Sequence, residues 1–289
     1  MDWTVLGQQV FYGLSNGMAY AMFAVGLILI FGILGVINVA HGEFYMLGAM
    51  ILAWLITSFG VNFFLAAFIT IAVGALLGIL ANRLVVQPIH GRPGYVLATW
   101  LATLGGGLFI TNVAMVTWGT APKITESPIP FLIHPGGVAI SGERVALFVV
   151  GGIVLWLFVW WMAKSRMGKM LRAVAQDAVS ARLVGINLMR VYATGFALAT
   201  ALAAVAGILL APIWFASPYM GQSMLVKGFV VCIVAGMTNI RGAIIVALFL
   251  GLIEALFGQY VSMSYREAVG YGLMILVLLV RPQGLFGRR

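Results

Sequence analysis

Two carboxyl groups lie inside long apolar segments of this sequence, Glu43 and Glu254. An ionisable side chain near the centre of a bilayer costs about 2.5–3.5 kcal/mol on insertion scales, so each is expected to face a protein interior. His41 stands two residues before Glu43 and titrates near neutral pH when water surrounds it. In chemical terms, these groups could relay protons or hold a polar solute along a path through an apolar body.

Each group also has a purely structural interpretation. Glu43 stands at the start of an apolar segment, where a helix N-terminus would stabilise its carboxylate. Glu254 lies deeper in its segment, where an interhelical hydrogen bond or ion pair would satisfy it. His41 lies beside a loop and could simply be solvated. The candidates for a permeation path are Asn38, His41, Glu43, Asn112 and Glu254.

The composition predicts that a lipid bilayer surrounds these residues. The chain of 289 residues is 63% hydrophobic and 8% charged, with a mean hydropathy of +1.11. A single soluble core could not bury that much apolar surface. The net charge of +9 could indicate nucleic acid, but the basic residues lie in short loops between apolar segments. That distribution is typical of the positive-inside rule, so no nucleic-acid partner is expected.

The sequence carries no signature of an enzyme or of a cofactor site. It lacks the His-Glu-x-x-His pair of zinc proteases and the Gly-x-Ser-x-Gly elbow of hydrolases. The pair Gly168-Lys169 is followed by Met170 and lacks the upstream glycine of a Walker A loop, so the chain is not expected to hydrolyse ATP. Cys232 is the single cysteine, which excludes a disulfide framework and a thiolate metal site. We expect no catalytic residue, metal or cofactor.

Nine apolar segments are long enough, or nearly long enough, to cross a bilayer as helices. The first is long and contains several glycines, so it could be broken, and the segment 224–239 is short enough to be re-entrant. We therefore predict an all-α, polytopic membrane helix bundle of eight or nine spans, in one domain covering 1–289. The predicted spans are 8–34, 43–59, 61–86, 95–117, 144–163, 192–215, 224–239, 242–258 and 264–280.

The basic residues predict the orientation of these spans. Twelve of the 16 Lys and Arg residues fall on one side if the segments 83–92, 164–190 and 281–289 and Arg241 share it. The side that holds most of the Lys and Arg residues should be the cytoplasm. This places the C-terminus inside and, with nine crossings, the N-terminus outside. A proline-rich loop at 118–143 is expected to form an irregular cap on the opposite side. That side also keeps Asp2, Lys123, Arg144, Lys227 and Arg266.

The segment 164–191 is the one sustained polar and basic stretch of the chain. Its pattern predicts a short helix up to Asp177, a second helix capped by the Asp177 side chain, and a stop at Gly185. An apolar face on the first helix favours a docking element over a solvated linker. The alternative is a positive-inside anchor with incidental helicity. The predicted face comprises Leu171, Val174 and Ala175, followed by Leu183, Val184 and Ile186.

Two short strings resemble one another within the chain. Each of the ranges 35–42 and 236–242 supplies a glycine-flanked asparagine before an apolar helix that contains an acid. Transporters often place broken helices at corresponding positions in two repeats, near the path of the solute. A coincidental pair of tight turns is the simpler explanation of two such short strings, and we prefer that interpretation.

Three segments of the chain resemble one known family. The string from Gly168 to Asn187 resembles the cytoplasmic coupling loop of ABC importer permeases of the branched-chain amino acid type. The string from Gly32 to Ala49 is similar to the first motif of that family, and 281–287 matches its ending. The resemblance implies that the residues contacting an ATPase include Gly168, Arg172, Ala173, Asp177, Arg182, Gly185 and Ile186.

The resemblance also implies partners and a cellular location. They are a second homologous permease, two cytosolic ABC ATPase subunits and a periplasmic substrate-binding protein, in a bacterial inner membrane. The binding protein would dock on the outer surface that includes 118–143. Substrates of such systems include branched-chain amino acids, but also urea and short amides. The competing hypothesis from the residues alone is a stand-alone, ion-coupled carrier or channel that uses His41, Glu43 and Glu254 as a proton path.

Overall fold

The computed structural model describes residues 3–35, 38–134 and 138–287. Predictions that concern Asp2, Val36, Ile37, Pro135 and the last two arginines lie outside these residues. The described chain is almost entirely helical. Its helices are α1 (Trp3–Leu34), α2 (His41–Phe59), α3 (Phe63–Ala81), a π-helical turn (Asn82–Val86), α4 (Tyr95–Trp118), α5 (Gly142–Lys164), α6 (Arg166–Gln176), α7 (Ala178–Leu183), α8 (Leu188–Leu210), α9 (Met220–Ala235), α10 (Ile240–Tyr260) and α11 (Arg266–Val280).

Each of the nine predicted spans corresponds to one helix, α1 to α5 or α8 to α11. Seven helices in the described ranges are long and apolar enough to cross a membrane, whereas α9 and α11 have 16 and 15 residues. The protein is therefore a multi-pass membrane helix bundle. The break considered for the first span is absent from α1, which is one continuous helix from Trp3 to Leu34. The chain turns only after that helix, at Gly35 with φ +66°.

The bundle has two ends that differ in structure. At one end, α6 and α7 follow α5 and form a helical hairpin that packs against α1, α5 and α8. The loops before α4 and after α11 lie at this same hairpin end, since Tyr192 meets His90 and the backbone N–H of Leu285 donates to Val234 at 2.8 Å. The helix α9 runs parallel to α1, and α10 returns antiparallel to it.

The opposite end, here called the loop end, carries the segment between α4 and α5. This segment contains two short antiparallel strands, β1 (Leu132–Ile133) and β2 (Ile140–Ser141), and a bridge between Lys123 and Ala216. Its other described residues are irregular, as the prolines predicted.

Glycines allow the central helices to approach closely. A Cβ atom built on Gly13 or Gly17 of α1 would lie 2.7 Å from the backbone of α10, and one built on Gly251 of α10 would lie 2.4 Å from the Gly13 carbonyl. The helices α2 and α8 meet in the same way at Gly48 and Gly207. Small residues serve this purpose in membranes because apolar burial does not drive helices together in lipid. These contacts place α1, α2, α8 and α10 at the centre, around the residues described next.

Candidate functional site

The first turn of α2 begins inside the bundle. The ring of His41 lies 4.7 Å from the ring of Phe23, and its Nε2 atom is 3.3 Å from the Phe23 carbonyl oxygen. A Cβ built on Gly26 would lie 3.0 Å from the same ring. Because Gly26 precedes the end of α1 by about 12 Å of helix, α2 starts well below the hairpin end. A helix that starts at this depth directs its N-terminal dipole into the protein.

The first turn of α9 meets that of α2. A Cβ built on Gly42 would lie 2.4 Å from the Gly221 carbonyl oxygen, and one built on Gly221 would lie 2.7 Å from the Gly42 carbonyl oxygen and 3.0 Å from Glu43 Oε2. On the other side of Glu43, a Cβ on Gly107 of α4 would lie 3.5 Å from Glu43 Cγ. Two helix N-termini therefore converge beside one buried carboxylate.

Several buried polar atoms around the start of α2 have no hydrogen-bond partner. Asn38 uses Oδ1 to accept from the backbone N–H of Ala40 at 3.1 Å, but its Nδ2 has no partner. The Thr103 hydroxyl oxygen accepts from the backbone N–H of Val39 at 3.2 Å. The unpartnered atoms in this region are Asn38 Nδ2, His41 Nδ1, Glu43 Oε2 and Thr99 Oγ1. We call this group of residues the polar junction.

Glu254 lies in a different place and is fully partnered. Its Oε2 atom accepts from the Tyr20 hydroxyl at 2.8 Å and lies 3.2 Å from Lys227 Nζ and 3.9 Å from Arg266 Nε. Lys227 also pairs with Glu267 at 3.1 Å. Glu254 and Lys227 are only 2% and 4% exposed, so this ion cluster ties α1, α9, α10 and α11 together toward the loop end.

The ion cluster corrects one sequence assignment. Lys227 was grouped with the residues of the outer side, whereas it lies buried within α9. Its ammonium group lies 5.2 Å from the ring centre of Tyr20 and 5.7 Å from that of Trp214. The ion pair considered for Glu254 does form, and Lys227 is its nearest basic partner.

Asn112 is separated from the other path candidates. It is exposed, and its amide donates to the Leu108 carbonyl of its own helix at 2.7 Å. Five residues of helix place it about 140° around α4 from Gly107, which faces Glu43. The structure thus brings Asn38, His41 and Glu43 together, but leaves Asn112 and Glu254 elsewhere.

The hairpin end carries the other predicted site. Leu171 and Val174 of α6 and Ala181 of α7 are buried against the bundle, whereas Ala175 is exposed and does not belong to that inner face. The predicted order of a first helix, Asp177 and a second helix is observed, and Gly185 follows with φ +85°. At that φ a side chain would be strained, which explains a glycine there.

Side-chain caps fix the shape of the hairpin. Ser165 accepts from the backbone N–H of Gly168 at 2.9 Å, and Asp177 accepts from that of Val179 at 2.9 Å. The hydrogen bond from the Ser180 hydroxyl holds the pKa of the Asp177 carboxyl below its usual range. Arg172 donates to the carbonyl oxygens of Met162 and Ala163, so it caps the C-terminal end of α5. Its contacts therefore position the hairpin.

The outer face of the hairpin is apolar and exposed. Val179, Leu183 and Val184 are 70%, 83% and 78% exposed. Basic residues lie near them in the sequence, including Arg182 and Arg190, which are exposed as well. An exposed apolar patch with a polar rim is typical of a protein interaction surface. We call these three residues the outer patch.

Sequence reasoning missed the residues of the site that carry no chemistry of their own. Gly221 and Gly107 are important because they leave room beside Glu43, which depends on the packing of three helices. The helix whose first turn meets the first turn of α2 is α9, and the second of the two similar strings precedes α10 instead. The residue type of Lys227 was a usable signal, because a lysine inside an apolar segment requires an acid nearby.

Comparison with known proteins identifies the family. The family described as "Branched-chain amino acid transport system / permease component" matches residues 9–278. The chain belongs to this family. The permease is 34% identical to the high-affinity branched-chain amino acid transport system permease protein BraD of Pseudomonas aeruginosa, over 97% of this chain and 95% of BraD. It is 33% identical to LivH of Escherichia coli over the same shares of the two chains.

A second type of relative is more distant. The permease is 28% identical to LivM of Salmonella typhimurium, over 93% of this chain and 68% of LivM. The existence of two related permease types implies a transport system with several subunits. The family match also shows that the chain is a transport component and not an enzyme.

Proposed function

We propose that this permease is one transmembrane half of an ATP-driven importer for branched-chain or related amino acids. Its partners would be a second homologous permease, two cytosolic ABC ATPase subunits and a periplasmic substrate-binding protein, in a bacterial inner membrane with the C-terminus in the cytoplasm. The substrate class is supported by the names of relatives that match nearly the full chain. The same family match favours this function over a stand-alone ion-coupled carrier.

The observation that carries the mechanism is the construction of the hairpin. Its inner face is buried against the bundle and its ends are capped, so a force on the hairpin reaches α5 and α8 directly. Its outer patch is exposed and suits a groove on another protein. Closure of two ATPase subunits would then move the bundle as a rigid body and alternate its access to the two sides.

Substitution of the outer patch tests this coupling. In a transporter assembled from all its subunits, Leu183→Asp with Val184→Asp should abolish copurification of the ATPase subunits and leucine uptake, because charges would replace the apolar contact. Val261→Asp is the control, since Val261 is also exposed, by 68%, but at the loop end. Its ATPase subunits should copurify as in the wild type. Retention of the ATPase subunits by the Leu183/Val184 variant would refute the docking role.

Uptake competition tests the substrate class. Leucine, isoleucine and valine should each compete with radiolabelled leucine, and urea and acetamide should not. The competing proposal, a permease for urea or short amides, predicts the reverse order.

Fusion of a fluorescent reporter to the C-terminus tests the orientation of the chain in the membrane. A reporter that folds only in the cytoplasm should be fluorescent there.

A further inference from the structure

Glu43 differs from Glu254 because no cation of the described chain pairs with it; Thr111 of α4 is the side chain within hydrogen-bonding reach of its carboxyl group. Its side chain is 8% exposed, and its Oε2 atom has no hydrogen-bond donor. No Lys, Arg or His of the residues that the structure describes lies within ion-pair distance of its carboxylate. A buried charge without a partner is costly, and intramembrane acids of this kind mark solute or ion pathways.

Two helix N-termini lie beside the Glu43 carboxylate and stabilise a negative charge on it. Glu43 lies in the first turn of α2, and Gly221 in the first turn of α9 lies against its Oε2 atom. Each N-terminus carries a partial positive charge that stabilises an anion. These dipoles favour the ionised form of the carboxyl group, but they leave its Oε2 oxygen without a donor. The Oε2 atom of Glu43 can therefore accept a hydrogen bond from a ligand that carries a cationic group or an N–H donor.

The surroundings of Glu43 leave access for such a ligand. Gly107 and Gly221 place no side chain beside the carboxylate. Gln222 and Ser223, which follow Gly221, are exposed although they lie in an apolar helix of the bundle. Polar side chains on the surface of a membrane helix are expected to face a partner subunit or a water-filled path. Gly221, which carries no side chain, is the residue of α9 that faces Glu43.

We infer that Glu43 receives the ammonium group of the amino acid as it passes through the permease. This inference rests on the proposed function, because urea and neutral amides offer weaker N–H donors and no positive charge. The ammonium group carries three N–H donors, one of which can bond to the unpartnered oxygen.

Glu43→Gln tests the inference, because it keeps the shape of the side chain and removes the charge. In the complete transporter, the maximal rate of leucine uptake should fall about tenfold or more, because hydrogen bonds between charged groups are the strongest. The leucine concentration at half-maximal rate should stay unchanged, because the substrate-binding protein sets it. Thr70→Val is the matched control: it also removes an unpartnered buried polar atom, but from α3. Uptake by this control should equal that of the wild type.

A second pair of variants covers the case in which Glu43→Gln fails to assemble. Gly107→Ala adds a methyl group at ordinary contact distance, 3.5 Å from Glu43 Cγ, so the bundle should still fold. The extra methyl should lower uptake about tenfold by narrowing the space beside the carboxylate. Gly105→Ala adds the same methyl group where no atom lies within 4 Å, and its uptake should be unchanged.

The outcomes separate this inference from the proposed function. If the wild-type transporter takes up no leucine, the proposed function fails, and the inference fails with it. If the wild type takes up leucine and assembled Glu43→Gln matches its maximal rate, only the inference is overturned. If Glu43→Gln does not assemble, wild-type uptake by Gly107→Ala overturns the inference, and a loss confined to Gly107→Ala supports it.

Discussion

The two buried acids of this permease, Glu43 and Glu254, have opposite surroundings. Glu254 accepts from Tyr20 and pairs with Lys227, so its charge is neutralised within the chain. Glu43 has two helix N-termini beside it but no cation and no donor to Oε2 among the described residues. Both carboxylates are more than nine-tenths buried, so exposure does not explain the difference.

The contrast indicates a division of roles. A buried acid with complete partners holds helices in place, because removal of one partner leaves an uncompensated charge. A buried acid without a cationic partner ties no helices together through an ion pair and is available to a cationic ligand. We therefore interpret Glu254 as a structural group that holds the short helices α9 and α11 in place. We interpret Glu43 as a group that binds the solute.

The largest effect is expected from Lys227→Met. This change leaves Glu254 without its closest cation in a site that is closed to water, and breaking such a buried pair costs about 3–5 kcal/mol. The variant should show a large drop in the yield of monodisperse protein and in the midpoint of thermal unfolding. Lys123→Met is the control, because Lys123 lies in the irregular segment at the loop end. A wild-type midpoint for Lys227→Met would show that the ion cluster is not structural.

A smaller effect is expected when both partners are removed together. Lys227→Met with Glu254→Gln removes both members of the buried pair, and the two charges that remain, on Glu267 and Arg266, are half exposed and partly exposed and can be solvated. The double variant should be more stable than Lys227→Met alone, with a coupling energy of about 1–3 kcal/mol in a double-mutant cycle. Additive losses in unfolding measurements would contradict the pairing of the two groups.

The smallest effect is expected from Asn38→Ala at the polar junction. Its Oδ1 accepts from the backbone N–H of Ala40, and loss of a hydrogen bond of this kind costs about 0.5–1.5 kcal/mol. The resulting shift of the unfolding midpoint should be measurable but much smaller than that of Lys227→Met. Asn112→Ala serves as control, because Asn112 is exposed and bonds to its own helix. A shift as large as that of Lys227→Met would assign the polar junction a mainly structural role.

Much of the fold follows from the sequence because apolar runs in a membrane protein specify helices directly. All nine predicted spans are helices, and Asp177 separates α6 from α7 as its capping chemistry predicted. The boundaries were less accurate where polar residues enter a helix. The helix α9 begins at Met220, four residues before its predicted start, because Gln222 and Ser223 interrupt the apolar run.

The site was only partly predictable, for a physical reason. Ionisable residues within or beside apolar segments are visible in the sequence, so Glu43, Glu254 and His41 could be predicted as candidates. Their pairing depends on which helices touch, and periodicity says nothing about that. The proximity of Gly42 and Gly221, far apart in the chain, arises from two helices that both start inside the bundle. Arg172 is a similar case, since its contact with the α5 carbonyls depends on the angle between α5 and α6.

The most direct test compares Glu43→Gln and Glu254→Gln in the same purified transporter, by thermal unfolding and by leucine uptake per assembled complex. Glu254→Gln should lower the unfolding midpoint, because it removes the buried one of the two carboxylates that compensate Lys227. Glu43→Gln should leave the midpoint unchanged or raise it, because an unpartnered buried charge is lost, and it should still reduce uptake. A midpoint lowered equally in both variants, with uptake by Glu43→Gln unchanged, would contradict the account.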